Sequence, residues 1–191
     1  MNPDGNERLT TAVGALLLVP FAIEIATILL GVHTFMSTHV FVGFLLIPPV
    51  LLKLGSTGWR FVRYYTRNGV YVMHGPPQIL MRAIAPVFVA ATVVLFGSGV
   101  AMGFLHGHAL SIARSLHGPA SVVWLVLLGM HVLIYLNRVL ALGARRPSIS
   151  GAKRRAAAIL VAVIAGLAIG GATVPAQHRW IELRHDHHHD G

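Results

Sequence analysis

Five long apolar stretches constrain this chain more than any other feature. They cover roughly residues 9–31, 35–54, 84–105, 119–136 and 156–174. Each can cross a hydrocarbon core about 30 Å thick as a helix. Hydrophobic residues make up 55% of the chain and charged residues only 11%, the balance of a membrane protein. The expected fold class is all-α, an integral membrane bundle of five transmembrane helices. Residues 1–174 form the expected transmembrane domain, with a four-helix core over 9–140 and a fifth helix over 156–174. Residues 175–191 are an expected extracytoplasmic His/Asp-rich tail. Pro48 and Pro49 interrupt the second stretch. Prolines persist in a span where neighbouring helices satisfy the freed carbonyls.

The formal charge of +9 does not indicate nucleic acid, because the basic residues sit between spans. Lys53, Arg60, Arg63, Arg67 and Arg82 lie at or between spans two and three. Arg138, Arg145, Arg146, Lys153, Arg154 and Arg155 lie between spans four and five. The positive-inside rule then puts the amino terminus in the cytoplasm and the tail outside. The first span carries Asp4 and Glu7 beside Arg8 and lacks a small-residue cleavage site, so it reads as a retained helix rather than a signal peptide. The chain has no cysteine, which excludes disulfides, thiolate ligands and iron–sulfur clusters.

Within this frame the stretch LHGPASVVWLVLLGMHVLIYL places His117 and His131 fourteen residues apart. At about 100° per residue they return to one helix face, with an axial separation of roughly 21 Å. The second span repeats the ruler with His39, but Lys53 stands where the second histidine would be. Spans two and four run in the same direction, so His39 and His117 are expected at one depth near the outer surface. Lys53 and His131 are expected together about 21 Å deeper. A six-coordinate haem takes an axial ligand from each side of its plane, and neutral imidazole supplies it. Gly31 and Gly103 fall at the outer level, where bulky side chains would obstruct a porphyrin. The expected cofactor is therefore one haem b, on the outer side, ligated by His39 and His117. Lysine ligates iron only when neutral and is normally charged at neutral pH. The Lys53 stem is expected to carry its ammonium toward water, leaving His131 without a haem.

Glu24 lies in the hydrocarbon region, where a carboxyl is costly and faces the bundle interior. It is either a proton-transfer group or a hydrogen-bonded acid. Gly99 and Gly103 form a G-x-x-x-G pair that suits close packing or leaves room for a flat cofactor. An outer loop after span three is expected to hold His106 and His108, and His33 sits in the outer turn after span one. His74 falls in a turn before span three. Ala158, Ala162, Gly166 and Gly170 recur every fourth position, a smooth stripe for packing on other helices or on a second copy as a homo-oligomer. Trp59, Phe61, Tyr64 and Tyr65 interleave with Arg60, Arg63 and Arg67, a mixture that anchors a helix end among anionic headgroups. In the tail, His185, Asp186, His187, His188, His189 and Asp190 offer a weak site for a divalent metal.

Helix-borne histidines at this spacing resemble the membrane b-type cytochromes, including the four-helix cytochrome subunits of bacterial hydrogenases and formate dehydrogenases. The resemblance covers about residues 9–140 and rests on His39 with Gly43, on His117 and His131, and on the bundle topology. The segment PPVLLKLGSTGWRFVRYY is also similar to actinobacterial membrane proteins of unassigned function. The resemblance implies a multi-pass protein of the bacterial inner membrane that binds haem and passes electrons between a quinone and an oxidoreductase partner subunit. Lys53 departs from that pattern and argues against an inner haem. No residue marks substrate catalysis, so an electron-transfer subunit is expected rather than a stand-alone enzyme. The competing expectation is a haem-free transporter, metal-handling protein or structural subunit.

Overall fold

The structure, a computed structural model, describes residues 3–73, 79–141 and 151–186. These form six helices and no strand. They are α1 (Pro3–Leu29), α2 (Met36–Tyr65), α3 (Gly69–Met73), α4 (Ile79–Phe104), α5 (Gly107–Ala141) and α6 (Ala152–Asp186). All but α3 are long and apolar enough to cross a membrane. Large apolar side chains such as Leu29, Leu51, Val93, Val122 and Leu160 point outward, as they must where the surrounding medium is lipid. The chain is thus a multi-pass membrane bundle.

Prolines do not break the spans. α2 runs through Pro48 and Pro49 without interruption, and α1, α4, α5 and α6 each contain a proline. Hydroxyls are satisfied on their own helices. Thr92 donates to the Phe88 carbonyl at 2.7 Å, and Thr173 donates to Gly170 at 2.7 Å.

The core is a ridge-on-ridge contact. Leu9, Val13, Leu17 and Phe21 recur every fourth residue on α1 and meet Val42, Leu46 and Val50 on α2, with Trp124 of α5 closing the cluster. Four-residue ridges of this kind interdigitate. α6 lies against α2 on its small stripe. A Cβ at Gly166 would collide with the Leu45 carbonyl, and one at Gly170 would lie 3.0 Å from the Phe41 carbonyl oxygen. The stripe therefore packs within the chain. α4 packs chiefly on α5. The bundle is thus α1, α2 and α6 on one side and α4 with α5 on the other. Contact between α2 and α5 is sparse.

Several boundaries differ from the sequence reading, and α2 continues past residue 54 to Tyr65, inside the expected connection. The expected loop holding His106 and His108 shrinks to residues 105–106, because α5 starts at Gly107 and helix continues through Pro119. Ala109, Ile112, Ala113 and Leu116 carry the helical period there, but Arg114 and the Gly118–Pro119 pair cut the apolar window short and hid the helix. α3 falls inside the expected connection between spans two and three. α6 continues past Pro175 to Asp186, where the sequence suggested only a polar tail. Composition marks where lipid ends, not where a helix does.

Candidate functional site

Contacts across the bundle fix the direction of each helix. Glu24 meets His39 and Thr10 meets Ser56, so α1 and α2 are antiparallel. Leu95 meets His117 and Thr92 meets Trp124, so α4 and α5 are antiparallel. Phe21 of α1 packs edge-on to Trp124 at 4.8 Å, close below the Glu24 level. α2 and α5 therefore run in the same direction. Residues near the α1–α2 turn lie at the upper level, and those near Lys53 at the lower.

His39 and His117 come together at the upper level, on the seam between the two helix groups. Their ring centroids are 6.4 Å apart and the ring planes cross at 88°. His39 is one turn into α2, whereas His117 is ten residues into α5, roughly 15 Å from its start. The first turns of α5 therefore stand above the α1–α2 hairpin.

Each imidazole is held through Nδ1. His117 Nδ1 lies 3.1 Å from the Leu95 carbonyl oxygen and 3.1 Å from Ser98 Oγ. A carbonyl can only accept, so Nδ1 carries the proton, and Nε2 keeps its lone pair in the neutral ring. The Ser98 hydroxyl donates to the Val94 carbonyl at 2.6 Å, which leaves its oxygen to accept from His117. His39 Nδ1 lies 2.6 Å from Glu24 Oε2 and 3.1 Å from Thr27 Oγ1. The Thr27 hydroxyl donates to the Glu24 carbonyl oxygen at 2.7 Å, so its oxygen too is an acceptor. Among the described residues neither Nε2 has a hydrogen-bond partner.

The glycines divide by role. A Cβ at Gly99 would lie 3.1 Å from the His117 ring, so the absence of a side chain there makes room for the imidazole. A Cβ at Gly43 would lie 3.3 Å from Glu24 Oε1, so Gly43 makes room for the carboxylate. Gly31 lies in the α1–α2 turn at φ +105°, a conformation only glycine adopts cheaply. Its presence is explained by the turn. Gly103 sits one helical turn above Gly99 on α4. Thr27, Leu95 and Ser98 complete the site and were not singled out for it from sequence. Gly99, six residues before the α4–α5 connection, is half of the G-x-x-x-G pair that the sequence offers for packing or a flat cofactor.

The lower level is different. Lys53 Nζ donates to the Thr10 carbonyl of α1 at 3.1 Å, and a Cβ at Gly14 would fall 2.6 Å from that nitrogen. The lysine thus lies on a bare patch of α1, its stem directed toward the level of Ser56, where Thr10 also sits. Asn6 donates to the Ser56 carbonyl at 2.8 Å, and Thr10 and Ser56 share a hydrogen bond of 2.8 Å. His131 is packed between Phe88 and Tyr135, with centroids at 5.5 and 4.8 Å. Trp124, seven residues from each histidine of α5, fills the space between levels and donates to Thr92 Oγ1 at 2.9 Å.

His33, His106 and His108 are exposed and outside the site. His74 and the tail residues His187, His188, His189 and Asp190 lie outside the described residues. His185 and Asp186 end α6. Among the described residues no group of three or more metal-ligating side chains is found. Comparison with protein-family models, with curated proteins and with solved structures finds no match.

Proposed function

We propose that this chain is a membrane electron-transfer protein that binds one haem b between α2 and α5, with His39 and His117 as axial ligands. The observation that carries the reading is the pair of parallel-helix imidazoles, each tied through Nδ1 and each left with a free Nε2. An iron held by two imidazole nitrogens at about 2 Å leaves the ring centroids roughly 6 Å apart. The observed 6.4 Å suits that donor set. Hydrogen bonds to the far nitrogen fix the tautomer and orientation of a metal-binding histidine, and here Glu24, Thr27, Leu95 and Ser98 do so. The sparse contact between α2 and α5 leaves the seam as the place where a flat group would enter.

When bound, the haem supplies one-electron carriage between its ferric and ferrous states. The chain's own residues orient the ligands through Nδ1. In the proposed orientation, which the positive-inside pattern supports, the amino terminus is cytoplasmic and this site lies toward the outer face of the membrane. There it can exchange electrons with a quinol or an oxidoreductase partner subunit.

The test is a reduced-minus-oxidised visible spectrum of the purified protein from haem-supplied cells. Sharp b-type bands, lost or converted in His39→Ala and His117→Ala but kept in His33→Ala and His108→Ala, are the expected result. A colourless protein would overturn the reading. It would favour a haem-free transporter, metal-handling or structural subunit, to which the Asn6–Thr10–Ser56–Lys53 hydrogen-bonded cluster would then be central.

A further inference from the structure

The two imidazoles have unlike partners. His117 rests on a neutral carbonyl and a neutral hydroxyl, both at 3.1 Å. His39 rests on a carboxylate at 2.6 Å. The short distance is that of a charge-assisted hydrogen bond. The Glu24 side chain is only 13% exposed, so water screens the contact weakly. Among the described residues no lysine or arginine pairs with Glu24, so its charge is directed at His39. Gly43 leaves the facing turn of α2 bare where Oε1 lies. Thr27 holds both the Glu24 carbonyl and the His39 nitrogen.

We propose that Glu24 is a positioning residue that orients His39 and lowers the reduction potential of the iron His39 binds. This rests on the reading of His39 as an axial ligand. A carboxylate accepting from Nδ1–H draws that proton away and raises the basicity of Nε2. A more basic ligand favours the ferric ion over the ferrous one, and the added negative charge acts in the same direction. The electron comes from a quinol or, in the test, from an electrode. No bond forms or breaks in the transfer.

The experiment is a redox titration of the purified holoprotein at one fixed pH, comparing the wild type with Glu24→Gln and Ser98→Ala. Glutamine keeps the shape and an accepting oxygen but removes the charge. Glu24→Gln should keep the bis-histidine spectrum and raise the reduction equilibrium constant at least tenfold, about 59 mV for one electron. Ser98→Ala, which removes only a neutral acceptor, should shift it far less. Glu24→Asp keeps the charge but is one methylene too short for the 2.6 Å contact. It should shift the potential upward by a smaller amount, and it carries the test if Glu24→Gln does not accumulate. An intact bis-histidine spectrum with an unchanged potential in these Glu24 variants would overturn the role of Glu24 alone. A wild type without haem would overturn the haem reading, and this inference with it.

Discussion

At the scale of the residue, imidazole orientation has a consequence that can be measured. The His39 and His117 ring planes cross at 88°, each locked by its Nδ1 partners. Perpendicular axial imidazoles leave the two iron dπ orbitals nearly equal in energy. The ferric holoprotein should therefore give a strongly anisotropic low-spin EPR signal, not the rhombic signal of parallel rings. A rhombic signal would show that the rings turn when iron binds. Trp124 offers a second residue-scale test. Its indole N–H is buried and donates to Thr92. Thr92→Val leaves that donor unsatisfied, which costs about 1–3 kcal/mol, and should lower the melting temperature in detergent. Thr92→Ser keeps the acceptor and should restore most of it. Equal melting temperatures for the valine and serine variants would remove the hydrogen bond from the account.

At the scale of the element, the closest approach in the bundle is α6 on α2. Gly166 lies where any Cβ would meet the Leu45 backbone, whereas Gly171 has open space beside it. Gly166→Ala must push the helices apart, an overpacking cost of about 1–3 kcal/mol or more. Gly171→Ala should be nearly neutral. Each variant adds one methyl to the same helix, so unfolding in detergent separates packing from helix propensity. If both behave alike, α6 does not sit on α2 through Gly166. This contact shows what a sequence can carry. The Ala158–Gly170 stripe announced a close helix partner through its period of four, but not which helix, because smoothness has no address. The five spans were legible from hydropathy, and the shared level of His39 and His117 from their spacing and helix direction. The first three turns of α5 were not legible, because Arg114 and the Gly118–Pro119 pair read as a break although Ala109, Ile112, Ala113 and Leu116 keep the helical period. Nor were Thr27, Leu95 and Ser98. They reach the imidazoles only through the rotation of α1 and α4 about their axes, which packing sets.

At the scale of the whole molecule, the bundle is asymmetric about its midplane. The expected orientation follows from basic residues in the second and fourth connections. A reporter fused after Asp190 should be active only in its extracytoplasmic form, and cytoplasmic activity there would reverse the reading. In that orientation the upper level faces outward, with two imidazoles whose Nε2 atoms have no hydrogen-bond partner among the described residues. The lower level holds Lys53 on the Thr10 carbonyl and His131 between two aromatic rings. For Lys53 to bind iron it would have to lose its proton, leave that carbonyl and turn away from the space Gly14 provides. The hydrogen bond it already makes opposes each step. Trp124, wedged between Phe21 and Phe88, closes the interior between levels. The holoprotein should thus contain one haem per chain, set at the outer side, and should pass electrons laterally or to a partner instead of across the full membrane. Haem extraction against protein concentration decides this. A ratio near one is expected, and a reproducible ratio near two would place a second iron at the lower level. Lys53→His is the converse test. It removes the bond to Thr10 and places an imidazole at the depth of His131. A second low-spin haem in that variant would show that Lys53 alone withholds the lower site. If the ratio stays near one, the aromatic packing around His131 is sufficient to exclude it.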